Sequence, residues 1–243
     1  NFQSADYAKR KDPRSYSQWM DLDASVGARY SLASGKGAFG ISLNYTKTIE
    51  TVAEKLFGTL DRQYYYLVDY GGSFGKVEII DGDNGYLSVS NERPMFNQFF
   101  GGSAQAEFKA EGVTAFLDLG AAYRNGYFGK KASGSVRFCD FDGMRYNLDT
   151  RISFRTGDFL NRIQGSWNVL TSLNKENSYR VSTTPGQSSE IQYFGSQETG
   201  DRIVGRLNAR YSIEKQTERS DGHLKPAPWA MSVGFERFSL NQT

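Results

Sequence analysis

Residues 19–52 read WMDLDASVGARYSLASGKGAFGISLNYTKTIETV. The even positions are Met20, Leu22, Ala24, Val26, Ala28, Tyr30 and Leu32; between them stand Asp21, Asp23, Ser25, Gly27, Arg29 and Ser31. After the turn at Ala33–Gly37 the alternation resumes, with Phe39, Ile41, Leu43 and Tyr45 against Gly40, Ser42, Asn44 and Thr46. A period of two marks a strand with two unlike faces, and a short Gly-rich turn between two such strands makes a hairpin. Ordinary strands run about 5–6 residues. Each arm here alternates for roughly twice that, enough to cross a bilayer at a tilt of about 45°.

The same unit recurs outward from this hairpin. Phe96, Phe100, Gly102, Ala104, Ala106, Phe108 and Ala110 oppose Gln105, Glu107 and Lys109, and Glu111-Gly112 turns the chain. The return strand sets Val113, Ala115, Leu117, Leu119, Ala121 and Tyr123 against Thr114, Asp118, Gly120 and Arg124. A third hairpin carries Met144, Tyr146, Leu148, Ile152 and Phe154, turns at Thr156-Gly157-Asp158, and returns through Phe159, Ile163, Trp167 and Val169. A fourth pair shows Ile203, Leu207, Ala209, Tyr211 and Ile213, then Trp229, Met231, Val233 and Phe235. The reading is a single all-β domain, an antiparallel up-and-down transmembrane β-barrel with about eight long strands. Residues 1–17, polar and containing Pro13, read as loop. Long external loops are expected at about 53–95, 125–142 and 174–200. Short strand pieces are expected inside the first of these, at Tyr64–Tyr70 and Val77–Ile80.

Connections also alternate in length, short near 35, 112 and 157 and long near 75, 133 and 187. Outer-membrane barrels pair short periplasmic turns with long extracellular loops in this way. The connection at 214–228 is longer than its class. Close to the short turns the apolar face carries Tyr30, Phe39, Phe108, Phe154, Phe159, Tyr211 and Trp229. Aromatics at one height read as an interfacial girdle, although aromatics favour strands in any case. Tyr45, Phe96, Tyr123, Tyr146 and Trp167 supply parts of a second ring.

Composition agrees. The 243 residues carry a net charge of +2, which points away from nucleic acid as a partner. No apolar run approaches the roughly 18–20 residues of a transmembrane helix, a limit that leaves barrels open. Cys139 is the sole cysteine, so no intrachain disulfide is possible.

The strands FGISLNYTKT (39–48), RYNLDTRISF (145–154) and VGRLNARYSI (204–213), with their long intervening loops, resemble Gram-negative outer-membrane β-barrels of Bacteroidetes type. The resemblance covers most of the chain and is one of style. It implies residence in the cell outer membrane, with the lipid bilayer and other outer-membrane transport proteins as partners. By that pattern the chain is expected to be part of a larger barrel, since its first strand would descend from outside. A closed eight-stranded barrel is the alternative, because eight strands can close around packed side chains.

The inward face is charged. Arg145, Arg151, Arg155, Arg162, Arg202, Arg206 and Arg210 fall on three successive strands, and Asp21, Asp23, Glu107 and Asp118 on earlier ones. A basic strip lining a pore would favour anionic solutes; an ion-pair network filling a closed lumen is the competing reading. Lys47 and Arg237 face outward, eight residues beyond Phe39 and Trp229. They are candidates for outer-leaflet lipid phosphates, or for snorkelling above the bilayer.

Catalytic signals are weak. His223 is the only histidine, which disfavours a Ser-His-Asp triad or a His-rich metal site. Asp81-Gly82-Asp83-Asn84-Gly85 looks like half a calcium loop, without the closing Glu. No catalytic residue, metal or cofactor is expected. Tyr64-Tyr65-Tyr66, Tyr70, Tyr193 and Phe194 could hold a sugar or a partner protein, or pack the loops. The leading function is a porin or transport-type channel, or an accessory component of an outer-membrane transport assembly, with an Arg-lined interior. The alternative is a non-conducting structural or adhesive surface barrel whose loops bind a partner or glycan. A soluble β-rich binding domain is a third reading, disfavoured by strand length and loop sorting.

Overall fold

The computed structural model describes residues 1–8, 14–55, 64–68, 76–80, 93–129, 136–182, 190–215 and 229–243. Long alternating runs become long strands: β1 Phe2–Ala8, β2 Arg14–Ser31, β3 Gly37–Lys55, β4 Tyr64–Val68, β5 Lys76–Ile80 and β6 Arg93–Ala110. β7 Val113–Gly129, β8 Arg137–Thr156, β9 Phe159–Ser182, β10 Glu190–Lys215 and β11 Ala230–Gln242 follow. Nine of them form one antiparallel up-and-down sheet in the order β1-β2-β3-β6-β7-β8-β9-β10-β11. β4 and β5 pair as a separate two-stranded sheet, within the residues expected to hold short strand pieces. Among the described residues there is no helix.

The three short turns fall where the glycines stand. Gly35, Gly112 and Gly157 take φ values of 69°, 72° and 58°, a left-handed backbone that costs glycine nothing and other residues about 1–2 kcal/mol. Residues 111–112 and 157–158 are two-residue hairpin loops.

Three features depart from the reading of the sequence. Residues 1–17 are not simply loop, because Phe2–Ala8 pairs with β2 from Phe2↔Leu22 to Ala8↔Tyr16. The main sheet therefore adds a short ninth strand to the eight long ones, β2, β3 and β6–β11. The stretches 125–142 and 174–200 are in large part ladder, since β7 runs to Gly129, β8 starts at Arg137, β9 ends at Ser182 and β10 begins at Glu190. Segments such as Asn174-Lys175-Glu176-Asn177-Ser178 are polar on both faces. Backbone pairing needs no apolar face, so these ribbons leave no period-two signal. Gly71-Gly72, Gly75, Asp81–Gly85, Tyr70, Pro185-Gly186 and the connection with His223 lie outside the described residues.

The ladder sorts the side chains onto two faces. Asp21, Thr48, Asn97, Gly126, Phe141, Asn174 and Gly200 share one, by direct cross-strand partnership. That face is concave. Arg29 on β2 reaches Glu107 two strands away on β6, and Arg145 on β8 lies over the Phe99 ring on β6, 4.2 Å from its centroid.

Candidate functional site

On the convex face, Phe39 heads a ladder row that runs through Ala106, Leu117, Thr150, Gly165 and Ala209 to Phe235. Trp229 lies six residues short of Phe235, toward the short-turn end. The row from Lys47 passes Gln98, Asn125, Asp142, Leu173 and Asp201 to Thr243, and Arg237 again lies six residues toward that end. Both limits thus slip by one residue per strand over six strand-to-strand steps. With a rise of about 3.3 Å and a strand spacing of about 4.8 Å, one residue per strand is a tilt of about 35°. Eight residues between the limits then span a height of about 22 Å. Between those limits the convex face of β2, β3 and β6–β11 carries no charged side chain.

Many large apolar residues of this band are exposed. Val26, Ile41 and Leu43 are 70%, 69% and 69% open, and Met231, Val233 and Phe235 at the other side of the sheet are similarly bare. At the short-turn limit Tyr30 faces Phe39 across the ladder, Phe39 meets Phe108 edge to face at 5.8 Å, and Phe159 lies 5.7 Å from Trp229. Phe154 and Tyr211 occupy the same face, the latter donating its hydroxyl to Asn161 Oδ1 at 2.6 Å. Tyr45 against Phe100, at 4.9 Å, and Phe96 stacked on Tyr127, at 4.6 Å, cluster at the opposite limit. Lys47 and Arg237 lie on this convex face, as their parity demands.

The concave face holds all eleven charged residues singled out from the sequence, namely Asp21, Asp23, Glu107, Asp118, Arg145, Arg151, Arg155, Arg162, Arg202, Arg206 and Arg210. They do not form one network. Glu107 pairs with Arg29 at 2.7 Å and Lys109 at 2.9 Å, close to the short turns. Asp118 accepts from Gln105 Nε2 at 2.9 Å. Arg162 reaches Glu214 at 3.1 Å, and Arg206 reaches Glu236 at 3.5 Å. Arg210 donates to Ser232 Oγ at 3.0 Å. These half-exposed pairs each contribute about 0–1 kcal/mol.

Toward the long-loop end the concave face is packed solid. Arg124, buried on β7, donates through Nε to Asn97 Oδ1 at 2.9 Å and through Nη1 to Ser172 Oγ on β9. Its guanidinium stands 4.5 Å from the centroid of the Phe141 ring. Phe141 and Asn174 are 1% and 0% exposed, and Phe128 packs on Cys139 beside them. This knot was not singled out from the sequence. Its available signal was the small residues at Gly101, Gly126 and Gly143 on the same face, which leave room for large neighbours. Beyond it, Arg137 lies over the Tyr127 ring at 5.0 Å. Burial pushes the Tyr127 phenol up and the positive Arg137 pulls it back.

Nearer the short turns a cavity of about 260 Å³ opens between β7 and β10, lined in part by Phe116, Asp149, Arg151, Gln164, Asn208 and Arg210. Among the described residues no cluster of His, Cys, Asp and Glu could hold a metal ion. Tyr65, Tyr193 and Phe194 are exposed; Tyr193 accepts from the Arg137 backbone N–H through its hydroxyl at 3.0 Å.

An up-and-down antiparallel sheet with an apolar, charge-free band on its convex face and an arginine-bearing concave face defines the class. Within it, the chain belongs to a family of unknown function, DUF6850, which matches residues 1–240. No curated protein matches the chain. No solved structure matches it either.

Proposed function

We propose that the protein is a β-barrel of the Gram-negative, Bacteroidetes-type outer membrane. In this reading it is a porin or transport-type channel, or an accessory component of an outer-membrane transport assembly. The observation that carries the reading is the slanted band between the Phe39–Trp229 and Lys47–Arg237 limits. Its height of about 22 Å approaches the roughly 25 Å apolar band of outer-membrane barrels, and its tilt of about 35° falls in their range of about 35–45°. A water-soluble monomer rarely exposes an apolar patch of more than a few hundred Å², and a band of this kind on eight strands exceeds that. Bilayer lipid would cover it. The girdle aromatics would then sit at headgroup level, with Lys47 and Arg237 at the height of outer-leaflet phosphates. The concave face becomes the lumen, and its surplus of arginine favours anionic solutes.

A second reading has its own support. The knot of Arg124, Phe99, Phe141 and Asn174 fills the concave side at one level, as expected of a non-conducting surface barrel whose loops bind a partner or glycan. The test has two stages. Full-length protein from membrane fractions should migrate faster unboiled than boiled; a detergent-free soluble protein with no shift would overturn the membrane assignment. Planar-bilayer recording then separates the two readings: discrete conductance steps support the channel, and a heat-modifiable protein without steps supports the closed barrel.

A further inference from the structure

The cavity between β7 and β10 has an ordered floor. Phe116, Arg151, Gln164 and Arg210 are successive partners in one ladder row of the concave face. Asp149, Ser166 and Asn208 are successive partners in the next row. Strands about 4.8 Å apart therefore present two guanidiniums, two carboxamides, a hydroxyl, a carboxylate and an aromatic ring around one space.

The lining itself carries more positive than negative charge. Arg162 and Arg206 on the flanking rows are held by Glu214 and Glu236. Arg151 makes no ion pair among the described residues, and Arg210 commits one Nη2 donor to Ser232. Against these two cations the lining has one carboxylate, Asp149; the next one, its ladder partner Asp118, accepts from Gln105 Nε2 at 2.9 Å. A guanidinium fork matches a carboxylate in plane. Asp149 can accept from hydroxyls, while Gln164, Asn208 and Ser166 can both donate and accept. Phe116 offers an apolar wall to the C–H face of a ring. The volume lies below the roughly 300–1,000 Å³ of pockets for drug-sized ligands, so the fit is to a single ring.

We propose that this cavity binds an acidic monosaccharide, a polyhydroxylated ring bearing one carboxylate. The proposal deepens the solute-passage reading and rests on it only for the route by which the sugar arrives. Calorimetric titration of the full-length protein in detergent with galacturonate, galactose and acetate tests it. Galacturonate should saturate one site, with galactose and acetate each at least about ten-fold weaker, the worth of one charge-assisted hydrogen bond or more. Arg151→Gln should weaken galacturonate about ten-fold, and Arg29→Gln, which lies outside the cavity, should leave it unchanged. Asn208→Ala, a milder change, should weaken it several-fold and serves if the arginine variant does not fold. Equal binding of acetate, equal binding of galactose, absence of saturation, or wild-type affinity in the cavity variants would each overturn the proposal. Loss of binding in a heat-modifiable protein removes the sugar site alone. Binding by a protein without the mobility shift removes the membrane reading and leaves the site.

Discussion

At Gly126 the concave face has no room for a methyl group. A Cβ there would run into the Phe141 ring and the Phe96 carbonyl. Gly112, by contrast, has open space and only its φ of 72° to protect. Gly126→Ala is therefore expected to cost about 1–3 kcal/mol through overpacking, and Gly112→Ala about 1 kcal/mol through backbone strain. Denaturant unfolding of the refolded protein checks the order; a smaller cost at Gly126 would mean that Phe141 is free to move. The residue scale is also where sequence reading was least complete. Parity put Arg145, Arg151 and Arg210 on one shared face, because alternation alone assigns faces. It could not tell that Arg124 is buried between Asn97 and Ser172 while Arg151 stays open, since that depends on how tightly the sheet curls.

Among the elements, β8 and β9 show what the curl requires. Their regular ladder lapses between Asp142↔Leu173 and Arg145↔Leu170, opposite Gly143 and Met144. The Thr171 side chain fills the gap, its Oγ1 accepting from the Met144 N–H at 2.9 Å and donating to the Met144 carbonyl at 3.3 Å. Thr171→Val keeps the shape and removes both bonds, leaving a half-buried N–H without a partner. The expected cost is about 1–3 kcal/mol, with faster amide exchange at Met144 seen by NMR; unchanged exchange would show that water or backbone replaces the hydroxyl. The hairpins themselves were legible wherever one face is apolar. β1 was not, because Phe2–Ala8 alternates nothing, and neither were the polar extensions of β7 to β10. Their strands are specified by backbone pairing with the next strand, Ala8 with Tyr16, Phe128 with Cys139 and Ser182 with Glu190, which leaves no apolar period to read.

The whole molecule adds depth. If lipid covers the convex face, position along the slanted band sets the penalty for a charge. Leu119 lies midway between the limits, whereas Gln98 lies on the Lys47 row. Leu119→Arg should cost about 2–4 kcal/mol and Gln98→Arg about 0–1 kcal/mol in lipid vesicles. Equal costs would remove the membrane from the argument, because in water both are surface substitutions. The sheet edges make a second demand. Among the described residues β1 and β11 each pair on one side only, and β11 is exposed on both faces from Ala230 to Gln242. An unpaired backbone group costs several kcal/mol in hydrocarbon, so a lipid-exposed edge does not persist there. In membranes the β11 amides that point away from β10 should then exchange as slowly as those bonded to it. If they exchange freely while the protein remains heat-modifiable, the sheet closes by some other edge. If they exchange freely and no mobility shift is found, the band is covered by protein rather than by lipid, because only outside the bilayer can water satisfy that edge.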